Sequence, residues 1–195
     1  MARDYALTEL VNGLKAGERY DEALAVCEVD LATMQRHGAS EFNQLIAHTS
    51  IADCYEDLGR NEELLTKRRD IYERMVKLRG AADCDTLIDA TRLADALILE
   101  GCYREARSFT AQQSRVARRV LGSESRDTLD LRVSYAISLY QDDVSRLNEA
   151  LAILVEVYQT ARRVFGDAHP ITRAVQEKLS EARESQAVDA ADAAS

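Results

Sequence analysis

Apolar positions along the chain recur at helical rather than strand spacing. Leu7, Leu10, Val11 and Leu14 follow an i, i+3, i+4, i+7 pattern, as do Ala90, Leu93, Ala94 and Leu97, so each set forms one face of an amphipathic helix. Ala106, Phe109, Thr110, Gln113 and Val116-Ala117 make a less regular stripe, whose polar members suit a helix with one side in water. The same reading predicts helix pairs at 3–16 and 20–37, 42–58 and 62–79, 85–100 and 103–121, and 127–141 and 146–165, followed by a final helix at 170–184. In that last helix Ile171, Val175, Leu179 and Ala182 can cover the preceding pair. Lys178, Glu181, Arg183 and Glu184 then face solvent, the composition of a capping element. Residues 185–195 are alanine-rich with no apolar stripe, and a frayed or disordered tail is expected there.

The pattern repeats. Gly38, Gly80, Gly122 and Gly166 are spaced 42, 42 and 44 residues apart, each closing an apolar helical stretch, and Gln44, Thr86, Thr128 and Thr172 stand six residues beyond them. A second register runs through Gly17, Gly59 and Gly101, again 42 apart. Asp143 stands where the next glycine of that register is expected, and two extra residues within Asp142-Asp143-Val144-Ser145-Arg146 account for the longer last spacing. One period therefore holds two helices, a tight turn and a slightly longer connection. Asp83 and Ser125 occupy N-cap positions, and Pro170 has the character of a first helical residue with His169 as its cap.

Composition agrees with an all-α chain: 195 residues carry one proline and eight glycines, too few for the turns of a many-stranded β protein. With 25 basic and 34 acidic residues the net charge is −9, which disfavours nucleic acid and anionic membranes as partners. Arg68-Arg69, Arg118-Arg119 and Arg162-Arg163 are short basic pairs within helices and read as solvated faces with favourable helix-end charge. Cys27, Cys54, Cys84 and Cys102 lack C-x-x-C spacing and stand apart from His37, His48 and His169, so no zinc centre or other cofactor is expected. His48 and Cys54, six residues apart, lie about 600° around a helix and make a poor Cys/His pair. Asp83, Asp85 and Asp89 read as helix-start acids. No H-E-x-x-H or phosphate loop is present, and the reading is non-enzymatic. Met1 to Asp4 lead directly into an amphipathic segment, so no obvious targeting peptide is expected. Reduced thiols in a cytoplasmic or nuclear compartment are expected, and no apolar run reaches the roughly 20 residues needed to span a bilayer.

Ala150-Leu151-Ala152-Ile153 followed by Ala161-Arg162-Arg163-Val164-Phe165-Gly166-Asp167-Ala168-His169-Pro170-Ile171-Thr172 resembles the 42-residue tetratricopeptide repeat of kinesin light chains. Arg118-Arg119-Val120-Leu121-Gly122 with Asp127-Thr128-Leu129, and Tyr20-Asp21-Glu22-Ala23-Leu24, resemble further copies. The likeness spans residues 3–184 and implies a right-handed superhelical solenoid of antiparallel helix pairs, one repeat domain over 1–184, whose first helices line a concave peptide-binding groove. Matched residue by residue, it implies partner-binding positions at Asn12, Lys15, Ser50, Asp53, Asp57, Arg92, Asp95, Leu99, Ile137 and Tyr140. Kinesin-light-chain-type repeats usually carry an asparagine where this chain has Ser50, Arg92 and Ser134, so their usual backbone clamp is not implied. The acids among these positions favour a protein or peptide of basic or mixed charge, with Arg92 placed to meet an acidic residue or a backbone carbonyl. The competing expectation is a structural subunit, or a self-associating fragment of a longer repeat array.

Overall fold

A computed structural model of the chain describes residues 2–192, with side chains from 6 to 187. Among the described residues there are nine α-helices and no strand: α1 Ala2–Ala16, α2 Tyr20–Arg36, α3 Glu41–Asp57, α4 Asn61–Arg79, α5 Cys84–Leu99, α6 Tyr103–Val120, α7 Arg126–Asp142, α8 Leu147–Phe165 and α9 Pro170–Asp192. The expected boundaries hold to within one or two residues, except that α9 runs eight residues past its expected end. Residues 185–192 contain only alanine, valine and helix-tolerant polar types, with no glycine or proline to stop them. Residues 193–195 of the expected disordered tail lie outside the described residues.

The starts are set by side-chain caps. Asp83 accepts from the backbone N–H groups of Asp85 and Thr86, Ser125 from that of Thr128, and Ser40 from that of Asn43. His169 Nδ1 accepts from Ile171 N at 3.3 Å, as its position before Pro170 suggests. Each cap satisfies a backbone donor that the first helical turn leaves free. The insertion before α8 is absorbed by one short 3-10 turn, Val144–Arg146. Asp143 is extended (φ −150) and its carboxylate accepts from Ser145 N at 3.0 Å and Ser145 Oγ at 2.7 Å.

The chain divides into two compact units, Met1–Ala81 and Ala82–Ser195. In the first, α1 packs on α2, α2 on α3 and α3 on α4. Leu14, Ala23, Leu24, Cys27, Leu31, Ala47, Ile51 and Cys54 form one core, with Val11, Val26, Met34, Tyr55 and Leu58 packed against it. In the second, each helix from α5 to α9 packs on the next, and first helices also stack directly, α5 on α7 and α7 on α9. Its cores gather Leu87, Ala94, Ala117 and Leu131, then Leu129, Val157, Ala161, Ile171 and Val175, then Ala136, Leu139, Leu147, Ala150, Leu154, Leu179 and Ala182. Alanines at 0% exposure, such as Ala94, Ala136 and Ala150, let helix backbones approach closely. No described helix is long and apolar enough to cross a membrane.

Candidate functional site

In the first unit the first helices do not stack as they do in the second: among the described residues α1 stands off from α3, and a cleft of about 220 Å³ lies between them. Thr8, Val11, Asn12 and Lys15 form one i, i+3, i+4, i+7 stripe of α1 along this cleft. Ala47, Ser50 and Asp53 of α3 face them, and Cys27 and Asp30 of α2 contribute as well. Four of the positions implied by the sequence, Asn12, Lys15, Ser50 and Asp53, thus line one concavity. Its wall also carries Asp30 and Cys27, which sequence reasoning missed because the implied groove positions were all taken from first helices. The available signal was that Asp30 follows Cys27 by three residues, on the flank of the buried stripe Ala23, Leu24, Cys27 and Leu31.

Charges in and around the cleft are largely matched internally. Lys15 Nζ lies 2.7 Å from Asp57 Oδ2. Burial opposes the charge of Lys15, but the hydrogen bond and charge of Asp57, helped by Asp53, hold its pKa above the ordinary lysine value. Lys15 and Asp57 therefore neutralise each other. Asp53 accepts from Arg68 of α4, whose side chain is 3% exposed, and Glu56 lies 3.8 Å from the same guanidinium. Removing Asp53 would leave the buried Arg68 guanidinium with only the more distant Glu56 as counter-charge, so Asp53 has a structural task besides any contact with a ligand. Asn12, Ser50 and Asp30 are different. None of them has a hydrogen-bond or ion-pair partner among the described residues.

The thiols of Cys27 and Cys54 are neighbours in the core at the cleft. Burial, then the neighbouring Cys54, pushes Cys27 up to about 12, and burial raises Cys54 too. Both are neutral at physiological pH, the opposite of an activated nucleophile.

The remaining implied positions lie in the second unit. Arg92 Nη1 meets Asp89 Oδ1 at 3.2 Å within its own helix, and Asp95 Oδ1 accepts from Ser134 Oγ at 2.9 Å across α5 and α7. Leu99 is 51% exposed, whereas Ile137 is half-buried against the core. Tyr140, expected on the groove, is 8% exposed and packs among Leu139, Leu147 and Leu154, so its ring is core rather than ligand surface.

Residues 143–171, which span the 3-10 turn, α8 and the start of α9, match the tetratricopeptide repeat family. No curated protein matches the chain. Among solved structures, a Podosopora anserina protein described as a kinesin light chain with nearly identical TPR-like repeats superposes with a TM-score of 0.75 at 20% identity, covering 95% of this chain and 87% of that one. A single-substitution variant of that protein gives 0.77 with the same identity and coverage. BtubC (BKLC) from P. vanneervenii gives 0.66 at 16% identity, covering 86% of this chain and 66% of its own. These are likenesses of fold, an all-α arrangement of antiparallel helix pairs. Residues 143–171 thus match one tetratricopeptide repeat, and the helix pairs around them share the fold of kinesin-light-chain-like repeat structures.

Proposed function

We propose that the protein is a non-enzymatic binding module that holds an extended segment of a partner protein, of basic or mixed charge, in the cleft between α1 and α3. The observation that carries this reading is the set of free polar groups there. Among the described residues the Asn12 amide and Ser50 hydroxyl have no internal partner and can take the N–H and C=O groups of an extended backbone, while the Asp30 carboxylate has no ion pair among them and suits a lysine or arginine side chain. Leu7, Val11 and Ala47 supply apolar wall between them. A reducing compartment, cytoplasmic or nuclear, suits the free exposed thiol of Cys84.

A displayed library of extended peptides selected on the full chain tests this. Enrichment in Lys and Arg is expected, with Asn12→Ala and Ser50→Ala each weakening the selected peptides by about 3- to 10-fold, the worth of one hydrogen bond. Asp30→Lys should abolish the charge preference. Peptides that bind all three variants as well as wild type would place the site elsewhere.

Self-association is a second reading, favoured by one feature. An open, mainly apolar hollow of about 480 Å³ on the outer side of α1 and α2 is lined by Leu10 and Val29, which are 51% and 65% exposed. Light scattering across a concentration series separates the two: a monomer disposes of this reading, and a dimer lost on Val29→Glu supports it.

A further inference from the structure

A second cleft, of about 240 Å³, lies in the second unit where α6, α7 and α8 meet. Arg115 and Arg118 of α6, with Ser114 beside them, face Arg132 and Tyr135 of α7 and Ile153 of α8. Ser114, Arg115 and Arg118 fall on one stripe of α6, so the two guanidiniums are helix-surface neighbours of like charge. Several arginines elsewhere in this unit are matched, Arg107 with Asp142 at 2.7 Å, Arg146 with Glu149 at 2.8 Å and Arg163 with Glu124 at 2.7 Å, while Arg119, Arg173 and Arg183 are scattered singly without an ion pair among the described residues. Arg115 and Arg118 have no ion pair among the described residues, and only Arg132 is engaged, with Glu156 at 2.7 Å. Three arginines against one carboxylate leave a local surplus of positive charge on a chain of net charge −9. Helix-end electrostatics account for Arg118, which lies in the last turn of α6, but not for Arg115. The hydroxyl of Ser114 is buried and makes no hydrogen bond among the described residues.

We propose that this cleft binds a phosphate monoester carried on a side chain of a partner protein. Such a group brings a charge of about −1.5 to −2 and three acceptor oxygens. The forks of Arg115 and Arg118 can share the three oxygens between them, and Arg132 adds charge from the opposite wall. Tyr135 and Ile153 offer apolar surface to the carbon stem of the phosphorylated residue. At about 30 Å³ per water-sized group, the cleft has room for a phosphoryl group and that stem. The assignment is independent of the α1–α3 cleft and stands or falls without it.

The full chain is titrated with N-acetyl-O-phosphoserine amide, with N-acetylserine amide and with inorganic phosphate, and binding is followed by phosphorus NMR and by backbone amide shifts. Saturable binding of the phosphoserine compound, with shifts centred on Ser114, Arg115, Arg118 and Arg132, is expected, as is no binding of the serine compound. Arg115→Glu/Arg118→Glu should weaken binding at least tenfold. Arg115→Lys/Arg118→Lys should weaken it less, because charge remains while the forks are lost. Arg173→Glu on α9 should leave it unchanged. If the charge reversal impairs folding, as judged by the thermal melt, Arg115→Gln/Arg118→Gln serves in its place. Equal binding by the cleft variants overturns the proposal, as does equal binding of the serine compound. Inorganic phosphate bound in preference to the phosphoserine compound also overturns it, leaving an adventitious ion only.

Discussion

Glu18 sits with φ at 57, the one described non-glycine residue in the left-handed region. Its backbone occupies the turn position that Gly59 and Gly101 fill in the next two repeats: Arg19 N bonds to Leu14 O as Arg60 N bonds to Tyr55 O and Cys102 N to Leu97 O. Counting in steps of 42 from Gly101 and Gly59 leads to Gly17, but the structural equivalent is Glu18, 41 residues before Gly59. The sequence shows a glycine in the turn and conceals which residue closes it. Left-handed backbone costs a residue with a Cβ about 1–2 kcal/mol, partly offset by the greater chain entropy of glycine when unfolded. Glu18→Gly is therefore expected to stabilise the chain by roughly 1 kcal/mol, a rise in Tm of about 2–4 °C; an unchanged or lowered Tm counts against the equivalence. His48 gives a second residue-level expectation. It is 9% exposed and burial, with Lys67 and Arg74 nearby, holds its pKa below the ordinary 6.5. The folded state thus prefers the neutral ring, so its contribution is complete above pH about 6.5 and is lost as pH falls below that value toward the depressed folded pKa. Denaturation midpoints should decline over that interval, and His48→Gln should flatten the decline.

At the scale of elements, most boundaries were legible because they are written locally. Asp83, Ser125 and His169 cap the helices they precede, and the glycines at 80 and 166 end α4 and α8 with φ of 91 and 86. What was not legible is whatever depends on a neighbouring helix. Tyr140 reads as a groove residue on its own helix, and only the arrival of Leu147, Leu154 and Leu179 makes it core. The far end of α9 is the converse case: residues 185–192 continue the helix largely by local propensity, with Gln186 Nε2 donating to Asn148 Oδ1 at 2.7 Å as an exposed tie to α8, while Ala182 is the last buried side chain among those described. Propensity alone holds few isolated turns in water. A chain ending after Glu184 should accordingly melt within about 1 °C of the full chain, and a larger fall would show that the removed turns carry packing energy.

Over the whole molecule, the 42-residue period announces the repeat but not the division into two units. The connection at Gly80 has the same local signature as those at Gly122 and Gly166, which interrupt nothing, so the difference resides in packing rather than in the turn. Among its described residues, the unit from residue 82 onward has cores of its own and a last helix whose solvent side is polar. Residues 82–195 expressed alone should keep a cooperative thermal transition by circular dichroism, as expected of repeats stabilised by their nearest neighbours; a broad, featureless melt would contradict this. The candidate clefts share that dependence on packing, since α1 stands off from α3 and the arginines of α6 and α7 converge only once the helices are stacked. The 3-10 turn at Val144–Arg146 shows where this architecture is permissive. Because its two additional residues are taken up by a self-capped turn, with α7 and α8 still packed on each other, chain length at that point is not dictated by the scaffold. It is consequently the natural place to graft a fluorophore-bearing peptide or an affinity handle, giving a tagged protein whose recognition surfaces remain untouched.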